Sequence, residues 1–194
     1  MSNLLETIAA PSAVLAGIVS ILSFLALFIF FAGVGVFGPI NDALSVIQFL
    51  LLIPVFVAFH LIVRQQSGGI AGLITVTAVA TLLAMAIMQT LLVLRQVQFE
   101  QTLRPILLLG LVLGVWWILT GLWSRDIAGV PDGLAWAGIV TGVSFIVIAL
   151  GFLFFGHAHP MTAAGFLVGA VAQPLWAIWL GRLLQTHQIL LAAR

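Results

Sequence analysis

Residues 133–181 read GLAWAGIVTGVSFIVIALGFLFFGHAHPMTAAGFLVGAVAQPLWAIWLG, 49 residues between Asp132 and Arg182 without a formal charge. A helix crosses the hydrocarbon core of a bilayer in about 20 residues, so this run holds two spans rather than one. Its polar break, Gly156-His157-Ala158-His159-Pro160, is where the chain turns.

The same reading extends outward along the chain. Uncharged runs of 35, 21, 30 and 20 residues separate Glu6 from Asp42, Asp42 from Arg64, Arg64 from Arg95, and Arg104 from Arg125. Spans are therefore predicted near 13–36, 42–63, 69–94, 105–124, 133–155 and 161–182. In lipid every backbone N–H and C=O must be paired within the protein, so each span is a helix. A barrel would show short alternating segments, and none of these runs alternates. The breakers Gly38-Pro39, Ser67-Gly68-Gly69, Arg104-Pro105 and Pro131-Asp132-Gly133 are expected at turns, and Pro54 and Pro174 inside spans. The predicted fold is an all-α integral membrane protein: one domain over residues 1–194, a six-transmembrane-helix bundle with short loops.

Composition agrees. Of 194 residues, 63% are hydrophobic and 6% charged, against about 25% charged in soluble domains. The mean hydropathy is +1.33. The N-terminal run carries Glu6 instead of a positive n-region and is too long for the core of a signal peptide, so it is read as a retained first span.

An even number of spans is expected to leave both termini on one face, side A. Arg64, Arg125, Arg182 and Arg194 belong there, and Arg95 and Arg104 belong to side B. The positive-inside rule then makes side A cytoplasmic.

The inventory of side chains excludes several chemistries. There is no Cys, no Tyr and no Lys, which removes thiolate nucleophiles, disulfides and Schiff-base cofactors. A bis-His haem would need a second His at the depth of His60 on a facing helix, and the sequence offers none. No carboxylate lies deep in a span to relay protons or sodium. No cofactor is expected, and the residues point away from an enzyme. With a net charge of +1 and no basic cluster, nucleic acid is not an expected partner.

Three groups of residues are candidates for a site. All six Trp lie in the last three spans toward side A: Trp116, Trp117, Trp123, Trp136, Trp176 and Trp179. Trp123 and Trp136 suit an interfacial belt. Trp176 and Trp179 with Arg182 and His60 are candidate contacts for an apolar or amphipathic ligand, with plain packing and Trp–Arg stacking as the alternative. A second group is polar. Asn41, Ser45 and Gln48 share one face of helix 2 and Asp42 opens it, while helix 3 carries Gln89 and helix 6 Gln173. These could tie helices together or line a polar cleft open to side B. The third group is His157 and His159, a weak metal-site candidate if Asp42 or Glu100 joined them.

Close helix packing in lipid favours small residues. Gly110 and Gly114, Gly138 and Gly142, and Gly165 and Gly169 form one Gly-x-x-x-Gly pair in each of the last three helices. They predict a tight sub-bundle of helices 4–6, or a face for a second copy or a partner membrane protein. The bilayer itself is the other expected partner.

Asn41-Asp42 and the stretch Pro174-Leu175-Trp176-Ala177-Ile178-Trp179-Leu180-Gly181-Arg182 resemble features of uncharacterised multi-pass bacterial membrane proteins, known as domains of unknown function. The resemblance covers nearly the whole chain in layout and these two stretches in residues. It implies a bacterial plasma-membrane location and no activity, ligand or site. The expected function is thus a non-enzymatic membrane module that binds an apolar or amphipathic ligand or a partner membrane protein. The alternatives are a small-solute transporter or channel using Asn41, Gln48, Gln89 and Gln173, and a membrane-embedded metalloenzyme at His157 and His159.

Overall fold

The computed structural model describes residues 2–67 and 69–186. Gly68 of the second turn and Arg194 of the side A arginines lie outside them. Six helices follow in order: α1 (Ser2–Phe31), α2 (Phe37–Ser67), α3 (Gly69–Val93), α4 (Phe99–Ser124), α5 (Asp132–Phe155) and α6 (Pro160–Gln185). Each is long and apolar enough to cross a membrane. The protein is an all-α, six-helix membrane bundle.

Helix α1 starts at Ser2 and ends at Phe31, well before the 13–36 read from the charges, and two prolines expected at turns lie inside helices. Gly38-Pro39 does not end the first turn; it lies in the opening turn of α2, where proline sacrifices no helical hydrogen bond. The chain turns earlier, over residues 32–36, with Gly33 at φ +99. Asp42 consequently lies in the second turn of α2 rather than at its cap. Likewise α4 starts at Phe99, and Pro105 is inside the helix. The Gln98 N–H donates to Gln101 Oε1 at 2.9 Å, which fixes the earlier start. The carbonyl that Pro105 leaves unpaired belongs to Gln101, which is exposed.

Each helix packs on the next, and α6 closes on α1, so the six form a ring. The α3–α4 seam is the loosest of the ring, and α2 also touches α4 across the interior. The predicted sub-bundle of helices 4–6 is therefore an arc of this ring, continued by an equally intimate α6–α1 contact.

The glycine stripes are used within the arc. A Cβ on Gly142 would collide with the Gly114 carbonyl oxygen of α4. One on Gly165 would come within 3.0 Å of the Ile148 backbone N of α5, and one on Gly181 within 2.8 Å of the Ala10 carbonyl oxygen of α1. At these three positions the glycine faces are occupied by the chain's own helices.

The interior differs along the bundle. Toward the end bearing the 125–131 turn (side A), aromatic side chains fill it: Phe56, Phe59, Trp116, Trp117 and Trp176 are all essentially buried. Toward the end bearing the 32–36, 94–98 and 156–159 turns (side B), the ring encloses a cavity.

Candidate functional site: a two-faced cavity within the bundle

Asn41, Ser45 and Gln48 recur at helical spacing on α2 and face inward, as their period requires. Ser45 and Gln48 are buried, Asn41 and Asp42 half-buried. From α1, Ser23 Oγ donates to Asn41 Oδ1 at 2.8 Å and lies 3.2 Å from Ser45 Oγ. This hydroxyl pairing ties α1 to α2.

Beside this row the structure brings Gln89 of α3 and Gln173 of α6 into one cavity of about 190 Å³. That is far above the roughly 10–15 Å³ that holds one water. All six helices line it. Along α2 its wall runs from Asn41 to Phe49 and along α4 from Phe99 to Gly110, a depth of roughly 12–16 Å at the rise of an α-helix.

The wall has two faces. Every polar side chain comes from α6, α1, α2 and α3: Gln173, Ser23, Asn41, Asp42, Ser45, Gln48 and Gln89. The α4 and α5 sides contribute none; there the lining is residues such as Phe99, Ile106, Phe145 and Phe152. Asp42 is the sole ionisable residue in the lining, which contains no Arg and no His.

Two lining amides are unsatisfied. Gln89 Oε1 and Gln173 Oε1 are buried and have no hydrogen-bond partner among the described residues; the residues are 8% and 1% exposed. A buried acceptor without a donor costs on the order of 1–3 kcal/mol, so such atoms call for an explanation. Both belong to one cavity, where a bound molecule could supply the donors.

At the level of Phe145 the cavity meets the aromatic cluster. The Phe145 ring is 5.0 Å from Trp117. Beyond it Phe56 stacks on Trp116 with centroids 3.5 Å apart, and Trp176 stands edge-on to Trp116 and Trp117 at 6.2 and 5.8 Å. Trp116 Nε1 donates to Thr75 Oγ1 at 3.4 Å, bridging the loose α3–α4 seam. Edge-to-face rings at these separations are a favourable packing, and they close the bundle beyond the cavity.

The first candidate group does not come together. Trp176 belongs to that cluster, whereas Trp179 covers Gly133 of α5 and shares an outer groove with Arg182. His60 is half-exposed on α2 against Gly72 of α3. These residues match in depth but occupy different sectors of the ring. The Trp–Arg stacking is found elsewhere, with the Arg125 guanidinium carbon 5.1 Å from the Trp136 ring centroid.

The histidines of the α5–α6 turn have structural contacts. His159 caps α6, its Nδ1 accepting from the Met161 N–H at 3.2 Å, and its ring stacks on Phe155 at 4.5 Å. His157 stacks on Phe31 at 5.4 Å. Among the described residues no three of His, Asp and Glu approach closely enough to hold a metal ion. Neither Asp42 nor Glu100 completes a site with His157 and His159, and the metal reading lacks its ligand set.

Sequence reasoning missed Ser23 and the phenylalanine walls. A serine on α1 at the depth of Asn41 was a usable signal, since buried hydroxyls in spans seek partners on neighbouring helices. The phenylalanines gave none, because an inward and a lipid-facing Phe look alike in an apolar run. Compared with protein-family models, curated proteins and solved structures, the chain matches none.

Proposed function

We propose that this protein is a non-enzymatic membrane module that binds a small amphipathic molecule inside the side B half of its bundle. The observation that carries this is the two-faced cavity, with buried, unpartnered carboxamide oxygens on one side and only apolar side chains on the other. Ligand sites are typically apolar concavities with a few convergent polar groups that fix orientation. The apolar body of the ligand would lie against α4 and α5, and its polar group against Asn41, Gln48, Gln89 and Gln173. The ligand class expected from the sequence is kept, but its contacts move from the Trp176–Arg182 region to the amides.

The cavity lies in the side B half of the bundle, toward the face opposite the arginine-richer side A. With side A cytoplasmic by the positive-inside rule, both termini lie in the cytoplasm and the ligand arrives from outside or from the outer leaflet. The plasma membrane of a bacterium fits this arrangement. A transporter reading would require the Phe56–Trp116–Trp117–Trp176 cluster to part, and the close packing of those rings favours a binding module instead.

Gly110 provides the test. Its Cβ would meet only Phe145 Cδ1, at 3.9 Å, so a larger side chain there projects into the cavity without displacing backbone. Prodan, a neutral amphipathic fluorophore excited by energy transfer from tryptophan, is titrated into protein in nanodiscs. Saturable binding is expected for the native chain, with a loss of about tenfold or more in affinity for Gly110→Leu, since filling the site removes at least about 1.4 kcal/mol of binding. Saturable binding that Gly110→Leu leaves intact would place the probe elsewhere and refute the proposal.

A further inference from the structure

We infer that the ligand of this cavity is an organic cation, recognised by Asp42 together with phenylalanine rings. The inference rests on the binding reading above and narrows it to one charge class. The first observation is the charge of the wall. Asp42 lines the cavity, and no arginine or histidine lines it to neutralise that carboxylate. An anion would meet a carboxylate and no cationic partner. A neutral molecule would leave the carboxylate without an opposite charge in the cavity.

The second observation is the rings. Seven phenylalanines line the cavity. Four lie near the side B ends of their helices: Phe31 closes α1, Phe99 opens α4, Phe152 is in the last turn of α5 and Phe166 in the second turn of α6. Phe31 and Phe166 stand 6.2 Å apart, tilted by 54°. A ring face is electron-rich and attracts a cation within about 6 Å of its centroid, most strongly where water is excluded. Phenylalanine does this without adding any hydrogen-bonding group, which suits a quaternary ammonium or other alkylated amine.

The third observation is independent of the first two. Gln89 Oε1 and Gln173 Oε1, deeper in the cavity, are both acceptors, and both residues are more than nine-tenths buried. An ammonium or guanidinium N–H, or a hydroxyl carried on the same molecule, would satisfy them. A cation that also carries a hydrogen-bond donor would meet the carboxylate and these two oxygens together.

Binding to purified protein is measured by calorimetry with three probes of similar size. They are benzyltrimethylammonium, its uncharged carbon isostere neopentylbenzene, and benzenesulfonate. The cation is expected to bind about tenfold or more tightly than the isostere, the gain typical of a desolvated cation–π and charge contact, and the anion not at all. Asp42→Asn should erase the preference and Asp42→Glu retain it, with the melting temperature of each variant recorded without ligand to exclude unfolding. Equal binding of cation and isostere, abolished by Gly110→Leu, would overturn the inference and leave the cavity reading standing. A cation preference untouched by Asp42→Asn would overturn it as well, since the carboxylate would then play no part. Absence of binding by all three probes would also overturn it, while the prodan titration decides the cavity reading separately.

Discussion

Gln173 sits at the middle of α6, 1% exposed, with its Oε1 facing no donor among the described residues. A tie between helices would show a partner for that oxygen, as Ser23 and Asn41 do for each other at 2.8 Å. Replacing an unsatisfied buried polar group by an apolar one of similar shape is near neutral or stabilising, because the desolvation penalty disappears. Gln173→Leu is therefore expected to keep or raise the melting temperature while weakening ligand binding. A fall in stability comparable to that of a large core truncation would show the amide to be structural. The same scale shows what the sequence could disclose. The row Asn41, Ser45, Gln48 was legible because its spacing on one helix puts the three on one face whatever the helix packs against. The meeting of that row with Gln89 and Gln173 was not legible, because it depends on where α3 and α6 fall around the ring. That His60 lies apart from Trp176 was not legible for the same reason. Position along a span gives depth, and nothing in one sequence gives the sector.

At the scale of the helices, the two glycines of one motif type behave oppositely because their neighbours differ. Gly142 lies where α5 crosses α4 backbone to backbone, so that a methyl group there would strike the Gly114 carbonyl and lie 2.9 Å from the Ile118 N. Gly110 faces the cavity, with its nearest outside atom at 3.9 Å. Gly142→Ala is expected to cost about 1–3 kcal/mol through forced separation of the two helices. Gly110→Ala should stabilise α4 by up to about 1 kcal/mol, the difference in helix propensity. Reversible unfolding in mixed micelles measures both, and the same sign for the two changes would contradict the assigned faces. Element existence was readable from charge spacing, since runs this apolar have to be spans. The ends were less readable. Proline in the sequence suggests a turn at residues 39 and 105, yet near a helix start it sacrifices little: Pro39 gives up no hydrogen bond, and at Pro105 the freed carbonyl is on an exposed residue.

For the molecule as a whole, the cavity lies in the side B half of the ring and the aromatic cluster fills the other half. Orientation in the membrane then determines which compartment the ligand comes from. The chain has no cysteine, so single-cysteine variants report without background. Gln96 in the α3–α4 turn and Asp126 in the α4–α5 turn are both exposed and lie at opposite ends of α4. With the arginine-richer end held in the cytoplasm, a membrane-impermeant maleimide should label Gln96→Cys in intact cells and Asp126→Cys only after permeabilisation. Leu103→Cys, on the cavity wall one turn inside α4, should be labelled from the same side as Gln96→Cys and protected by a bound ligand. The reverse pattern at Gln96 and Asp126 would turn the molecule over and give the ligand a cytoplasmic source, leaving the cavity intact. Labelling of Leu103→Cys only from the Asp126 side would be more damaging, because it would require a path through the packed tryptophans.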